Sequence, residues 1–466
     1  MKYDAIVIGA GMSGLAAALR LALFEQRVIV LERHELWGGL NSFYTLAGRP
    51  FDVGLHALTN FEPRGKRGAP LTRLLRWLRL EHEELRLEEQ RGSAILFPGA
   101  RLAFTNDLGV LESEVGRLFP QERAGFARLV QWVQAFEVRE DGLPPQSARA
   151  LLAEFLREPL LREMLLFPVL IYGSARERDT DVQTFAILFR AVFLDGIARP
   201  AGGIRTLLNL LIKRIKHAGV ELRLKAPVAR VRHDGGRVHG VELESGEVLE
   251  APVVLSSAGW VETMALAGTP APPAHHGRLS FVESIWVLDR PANTLGQDCA
   301  TGFYSLLAVA PYERPTELVE VRSGVISSPE NFGTPRTEGE GMLRISVLAN
   351  HARWTALAGA DYAAAKMRSA EAAAEAVRAY LPEWRGHAVF QDVFTPSTIE
   401  RFTGHAGGAV YGSSEKHLDG RTPIEGLVLV GTDQGYLGIT GAMVSGCLMA
   451  NRHVLAKLAT RTEANA

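Results

Sequence analysis

The first 32 residues constrain the fold more than any other stretch of the chain. Residues 3–9, YDAIVIG, read as a short buried strand of a parallel sheet, and the helical spacing in MSGLAAALRLALFEQ sets Leu15, Leu19 and Leu23 on one face. Between strand and helix, Gly9, Gly11 and Gly14 form G-x-G-x-x-G. One glycine permits the turn, one lets backbone approach a pyrophosphate, and one allows close packing of helix on strand. Ser13 belongs to the same turn, and the helix N-terminus behind it directs free N–H groups at phosphate. The following strand, RVIVLE, ends in Glu32, where a carboxylate accepts both hydroxyls of a ribose. Strand, turn, helix, strand and acid together predict a dinucleotide-binding unit.

Two further segments point to FAD as that dinucleotide. After Glu32 the chain runs RHELWGGLNSF, and Gly38 and Gly39 provide a second loop without side chains where backbone passes close to the flavin phosphates and ribityl chain. Arg33 is expected against the adenine side. Near the other end, EGLVLVGTDQGYLGITGAMVSGCLMANRHVL predicts a strand, a turn holding Gly431 and Asp433, and a small-residue helix. Asp433 is expected either to bond a ribityl hydroxyl or phosphate-bound water, or to cap a helix. The helix start at Ile439, Thr440 and Gly441 aims N–H groups and a dipole at the anionic edge of the flavin. Val228, in KAPVARV, is expected to pair its main chain with the adenine ring.

A chain of 466 residues exceeds one ordinary core, so two domains are expected, built from segments that alternate along the sequence. With 51 basic and 52 acidic residues nothing favours a nucleic acid or polyanionic partner. Two distant cysteines, Cys299 and Cys447, argue against disulfide scaffolding and against zinc, and no metal ligand set is expected. The opening MKYDAIVIGAG starts the fold at once and lacks the marks of a signal peptide, so a cytoplasmic setting is expected. No apolar run reaches the roughly 18 residues of a membrane span. LLREMLLFPVLIY reads as a core helix of a substrate domain or, second, as an interfacial helix. After the helix in ARPAGGIRTLLNLLIKRIKHAG come several short strands with turns at Asp234-Gly235-Gly236 and Ser245-Gly246, expected to form a small sheet. The division that follows gives 1–61, 198–270 and 387–466 to FAD binding, and 62–197 and 271–386 to the substrate.

The series AIVIGAGMSGLAAALRLA, LERHELWGGLNSF, GRPFDVGLHAL, RPAGGIRTL, VFTPSTIERFTGHAGGAVYG and LVLVGTDQGYLGITGAMVSG resembles, in order and spacing, the phytoene desaturase, carotenoid isomerase and retinol saturase family of FAD-dependent oxidoreductases. The resemblance covers most of the chain. It implies an α/β fold: an interleaved Rossmann-like, glutathione-reductase-like FAD-binding domain without an NAD domain, and an α+β substrate domain for long isoprenoids. It also implies desaturation, saturation or cis–trans isomerisation at carbon–carbon bonds by hydride exchange with flavin N5, with an external electron acceptor or donor. Contact with the inner face of a membrane is a further implication. His56, in FDVGLHAL, is the candidate catalytic side chain near the flavin ring, its alternative being a structural hydrogen-bonding role. Tyr411 and Tyr436 are weaker candidates that line the pocket. One departure stands out: Leu40 and Asn41 follow the glycine pair where many members and the related amine oxidases carry Arg or Lys. The competing readings are a flavin amine oxidase and a non-catalytic flavin-binding lipid carrier.

Overall fold

The computed structural model describes residues 2–54, 57–61, 69–139, 146–381 and 383–456. Its organising element is a five-stranded parallel sheet in the order Glu221–Arg223, Val28–Leu31, Ala5–Ile8, Val254–Ser256 and Leu427–Leu429. Three remote parts of the chain therefore supply one sheet, which is the expected interleaved α/β arrangement. The two N-terminal strands are buried at every residue, as their unbroken Val/Ile/Leu runs require in a sheet covered on both faces. On one face pack the helices Met12–Ala22, Ile204–His217 and Gly438–Ala450, sharing an apolar cluster with Val7, Val30 and Val428. The helix Ile204–His217 buries Ile204, Leu207, Leu208, Leu211, Ile212 and Ile215, a single stripe at helical spacing. Each such side chain contributes roughly 1.5–3 kcal/mol relative to exposure. Its last turn carries Arg214, Lys216 and His217, which complement the negative end of the helix dipole.

Only part of the 220–260 region forms a small separate sheet. Val228–Asp234, Arg237–Leu243 and Val248–Glu250 pair antiparallel as expected, whereas Glu221–Arg223 and Val254–Ser256 leave that group and join the parallel sheet.

The second large body is a seven-stranded mixed sheet in the order Ala388–Phe394, Ser280–Leu288, Gly341–Ala349, Val319–Ser327, Thr301–Ser305, Ser93–Phe97 and Ala100–Phe104. Its edge strand Ala388–Phe394 lies in the segment 387–466 that the sequence division gave to FAD binding. The strand pairs there because Glu283 to Leu288, six residues of the nine-residue strand Ser280–Leu288, offer it backbone partners, and a composition shift near 387 carries no record of that pairing. One face of this sheet supports a layer of helices with a large apolar cluster containing Phe97, Phe104, Phe167, Phe185, Phe189, Phe193 and Phe303. The helix Pro159–Gly173 is the centre of that cluster. Glu158 caps it by accepting from the Leu160 N–H, and residues 164–171 are buried without interruption, so this helix has no face left for a lipid surface. Among the described residues no helix is long and apolar enough to cross a membrane.

Candidate cofactor and active site

At the C-terminal ends of the parallel strands lies a cleft of about 490 Å³. It brings together Gly9, Gly11, Ser13, Glu32, Arg33, Gly38, Gly39, Val228, Gly431 and Asp433, ten of the residues singled out from the sequence. Their local geometry explains the glycines. Gly9 has φ +93°, and a Cβ there would stand 2.4 Å from Ser257 Oγ. A Cβ on Gly14 would stand 2.1 Å from the Gly9 carbonyl oxygen, which is the helix-to-strand contact expected of the third glycine. Gly11 is different: its Cβ direction is open, with nothing within 4 Å. Gly38, at φ +113°, donates its N–H to the Ala10 carbonyl at 2.8 Å and lays Gly39 against Gly11.

Both helices that point at the cleft begin without a side-chain cap. Gly11 precedes Met12–Ala22 and Leu437 precedes Gly438–Ala450, and neither helix has an acidic residue in its first turn. Uncapped first-turn N–H groups are anion sites. The two helices pack so closely that a Cβ on Gly446 would lie 2.1 Å from the Ser13 carbonyl oxygen. Gly14, Ile439, Thr440 and Gly441 stand behind the cleft wall; Ile439 is buried in the helix cluster, and Thr440 Oγ1 donates to the Thr59 carbonyl at 3.0 Å. Glu32 is buried, and its carboxylate accepts from the N–H groups of Ala10 (2.8 Å) and His34 (2.9 Å). It thereby shapes the glycine turn while still facing the cleft. Arg33 reaches across the mouth to donate to the Arg401 carbonyl at 2.8 Å. Open glycine backbone, uncapped helix ends and a buried carboxylate at the second strand fit a dinucleotide.

Asp433 is buried, and protein donors occupy both its oxygens: Trp260 N at 2.6 Å on one, Ser413 N at 2.8 Å and Lys416 Nζ at 3.1 Å on the other. The helix it caps is Trp260–Leu266, not the one that follows it in sequence. Three neighbours escaped sequence reasoning. Lys416 also donates to the Tyr411 carbonyl at 2.7 Å; burial pulls its ammonium below the ordinary lysine range, against the opposing pull of Asp433. His405 faces Glu262 across 3.7 Å in the cleft wall. Burial alone lowers its pKa, but the facing Glu262 carboxylate, with Asp433, outweighs it and raises the imidazole above its usual value. Nothing in their spacing links positions 262, 405, 416 and 433. Tyr411 donates its hydroxyl to the Ile171 carbonyl, and Tyr436 packs against the helix cluster. Leu40 and Asn41 line the cleft in place of a basic residue. His56 lies outside the described residues. Among the described residues no histidine, cysteine and carboxylate group forms a metal site.

Comparison with known proteins agrees with this architecture. Over 293 residues the chain is 25% identical to prolycopene isomerase, chloroplastic, from Arabidopsis thaliana, covering 55% of this chain and about half, 47%, of that relative. A longer match joins it to all-trans-retinol 13,14-reductase from Danio rerio, 25% identical over 540 residues, 97% of this chain and 86% of the relative. The crystal structure of an oxidoreductase from Methanosarcina mazei superposes with a TM-score of 0.67 at 16% identity, covering 97% of this chain and 100% of that one, and so shares its fold. The family profile described as flavin containing amine oxidoreductase matches residues 12–260, which include Gly14, the Gly38–Gly39 loop and three strands of the parallel sheet. With a cleft built for a dinucleotide and more than half its length in that match, the chain belongs to the flavin containing amine oxidoreductase family, and FAD is its cofactor.

Proposed function

We propose that the protein is an FAD-dependent oxidoreductase acting on carbon–carbon bonds of an apolar, isoprenoid-like substrate. The observation that carries this reading is the position of the aromatic cluster. Leu437, in the loop entering the helix Gly438–Ala450, packs on Gly173, where a Cβ would lie 2.6 Å from its Cδ1. The same cluster contains Phe97, Phe167, Tyr172 and Phe303 and takes in Tyr411 at its edge. Apolar side chains thus reach the loop that leads into the helix behind the cleft, which suits an apolar ligand. The full-length similarity to a retinol reductase and the partial similarity to a prolycopene isomerase support the same substrate class.

In this reading Gly9, Gly11, Ser13 and Gly14 hold the pyrophosphate, Glu32 the adenosine ribose, Val228 and Arg33 the adenine side, and Gly38 and Gly39 the ribityl chain. Gly431, Ile439, Thr440 and Gly441 present main chain to the flavin. Asp433 acts there by holding Trp260, Ser413 and Lys416 in place. Bound FAD supplies hydride exchange at N5, while the surrounding apolar residues exclude water. His56 is the proposed proton-handling side chain, and an external carrier completes the electron balance. Peripheral contact with a membrane, as a source of apolar substrate, is part of the proposal. The test is incubation of the purified flavoprotein with colourless and coloured C40 isoprenoids, with and without added electron carriers, followed by mass spectrometry and isomer separation. Loss of hydrogen pairs identifies a desaturase, gain a saturase, and altered retention at constant mass an isomerase. Inertness toward every isoprenoid combined with peroxide release from amines would overturn the reading.

A further inference from the structure

A dinucleotide brings negative phosphate charge into a cleft that is itself rich in acid. Glu32, Glu244, Glu262 and Asp433 all line it, whereas Arg33 and His405 are the only lining side chains among the described residues that can carry positive charge. Lys416, which does not line the cleft, offsets Asp433 at 3.1 Å, and Leu40 and Asn41 bring no charge of their own. Arg33 is engaged at the mouth, where it donates to the Arg401 carbonyl at 2.8 Å. Compensation for the phosphates therefore falls to the uncapped helix start at Gly11 and, among side chains, to His405.

The position of His405 fixes which part of the cofactor it meets. Gly404, immediately before it, lies against the Arg33 guanidinium: a Cβ on Gly404 would stand 2.6 Å from Arg33 Nη1. On the other side, a Cβ on Gly259 would stand 3.3 Å from His405 Nδ1 and 3.3 Å from Asp433 Oδ2, so the imidazole and Asp433 border the same space. His405 thus stands between Arg33 on the adenine side and Asp433 at the flavin end, which is the span of the pyrophosphate. The ring is held from behind. Glu262 Oε1 accepts from the Ala406 N–H at 2.7 Å and faces His405 Nδ1 across 3.7 Å, too far for a hydrogen bond. Nδ1 is buried without a hydrogen-bond partner, and no described residue holds the other nitrogen. The charged groups around the ring are the anions Glu262 and Asp433 and the cations Lys416 and Arg33; burial opposes the charged ring, but the two carboxylates prevail and favour the imidazolium. An imidazolium backed by a carboxylate, with a donor to spare in the cleft wall, stands where a phosphate oxygen arrives.

We propose that His405 is a pyrophosphate ligand of FAD, donating a hydrogen bond from its imidazolium to a phosphate oxygen with Glu262 as the positioning residue behind it, and that this contact makes cofactor retention depend on pH. The inference rests on the FAD placement given above and adds to it a side chain that no glycine motif predicts. The sign follows from the charge. The phosphates stay ionised throughout the neutral range, so the attraction is complete while the ring is protonated and is lost as pH rises through the imidazole pKa; FAD should be held more tightly at pH ~6 than at pH ~8.5. A pyrophosphate held only by backbone N–H groups and a helix dipole would meet no group that titrates in that range.

The FAD-loaded protein is dialysed to equilibrium against a series of FAD concentrations at pH ~6 and pH ~8.5, with free flavin read by fluorescence, for the wild type, His405→Gln, His405→Arg and Gly11→Leu. The phosphorus NMR spectrum of the bound FAD is followed over the same range. His405→Gln is expected to hold FAD about tenfold more weakly than the wild type at the lower pH and nearly as well at the higher, and His405→Arg to hold it tightly at both. A phosphorus resonance that titrates in the wild type but not in His405→Gln marks direct contact, which a histidine that only braces the loop would not give. Equal loss at both pH values in His405→Gln, or the same phosphorus titration in both proteins, overturns the inference; if Gly11→Leu still weakens FAD, the cofactor placement stands. If neither variant loosens FAD, both fall. Should His405→Gln fail to fold, a wild-type phosphorus spectrum flat across the range overturns the inference by itself.

Discussion

Gly11 and Gly14 occupy one motif but answer to different neighbours. Gly14 is a packing residue, since its Cβ would meet a backbone carbonyl at 2.1 Å; Gly14→Ala is expected to destabilise the protein by about 1–3 kcal/mol, read from thermal or denaturant unfolding. Gly11 faces open space, so Gly11→Leu is expected to keep the fold while filling the cleft and weakening FAD binding at least tenfold, roughly, as measured by flavin titration. A variant that keeps full affinity would move the pyrophosphate away from this turn. His405 carries a pH prediction. Its folded pKa lies above the unfolded value of about 6.5, so its contribution to stability is complete below that value and disappears as pH rises through the folded one. The melting-temperature difference between wild type and Glu262→Gln should therefore be larger near pH ~5.5 than near pH ~8.5. A difference independent of pH would separate the two residues energetically. The motif glycines and Glu32 were legible because backbone clearance and ribose recognition act over short spacings. His405, Glu262 and Lys416 were not, because their meeting depends on the helix Trp260–Leu266 folding against the distant segment 405–416.

At the level of elements, Asp433 shows how a strand end becomes a junction. The sequence placed it correctly at the end of a strand and before a glycine-rich turn, and left open whether it served the ligand or a helix. Its oxygens hold the first N–H of the helix Trp260–Leu266, the backbone of Ser413 and the buried ammonium of Lys416. Asp433→Ala strands that ammonium and is expected to cost about 3–5 kcal/mol in denaturant unfolding, with part recovered by adding Lys416→Met. Strict additivity of the two changes would mean that the pair is not coupled. The strands Glu221–Arg223 and Val254–Ser256 carry a related lesson. Their composition marks them as strands, but each is three residues long, and which sheet accepts a short strand is decided by the free edge or gap nearest to it. Ala388–Phe394 joined the seven-stranded sheet for the same reason.

For the molecule as a whole, FAD acts on a cleft assembled from residues 8–41, 226–266 and 403–442, so its binding energy is shared by segments far apart in sequence. Removing FAD is expected to lower the melting temperature, and restoring it at about 100 times its Kd to return roughly 2.7 kcal/mol, measured by thermal unfolding across a cofactor series. A melting temperature indifferent to FAD would mean that the cleft is equally formed without it. The sequence by itself determined the parallel α/β core, the glycine turn and the identity of the cofactor, because strand burial, helix periodicity and phosphate access are written in neighbouring residues. The tertiary structure alone decided where Asp433 spends its hydrogen bonds, which sheet takes each short strand, and how Glu262 comes to face His405 in the cleft wall. Those outcomes depend on contacts across loops and between segments far apart in the chain, and local spacing holds no trace of them.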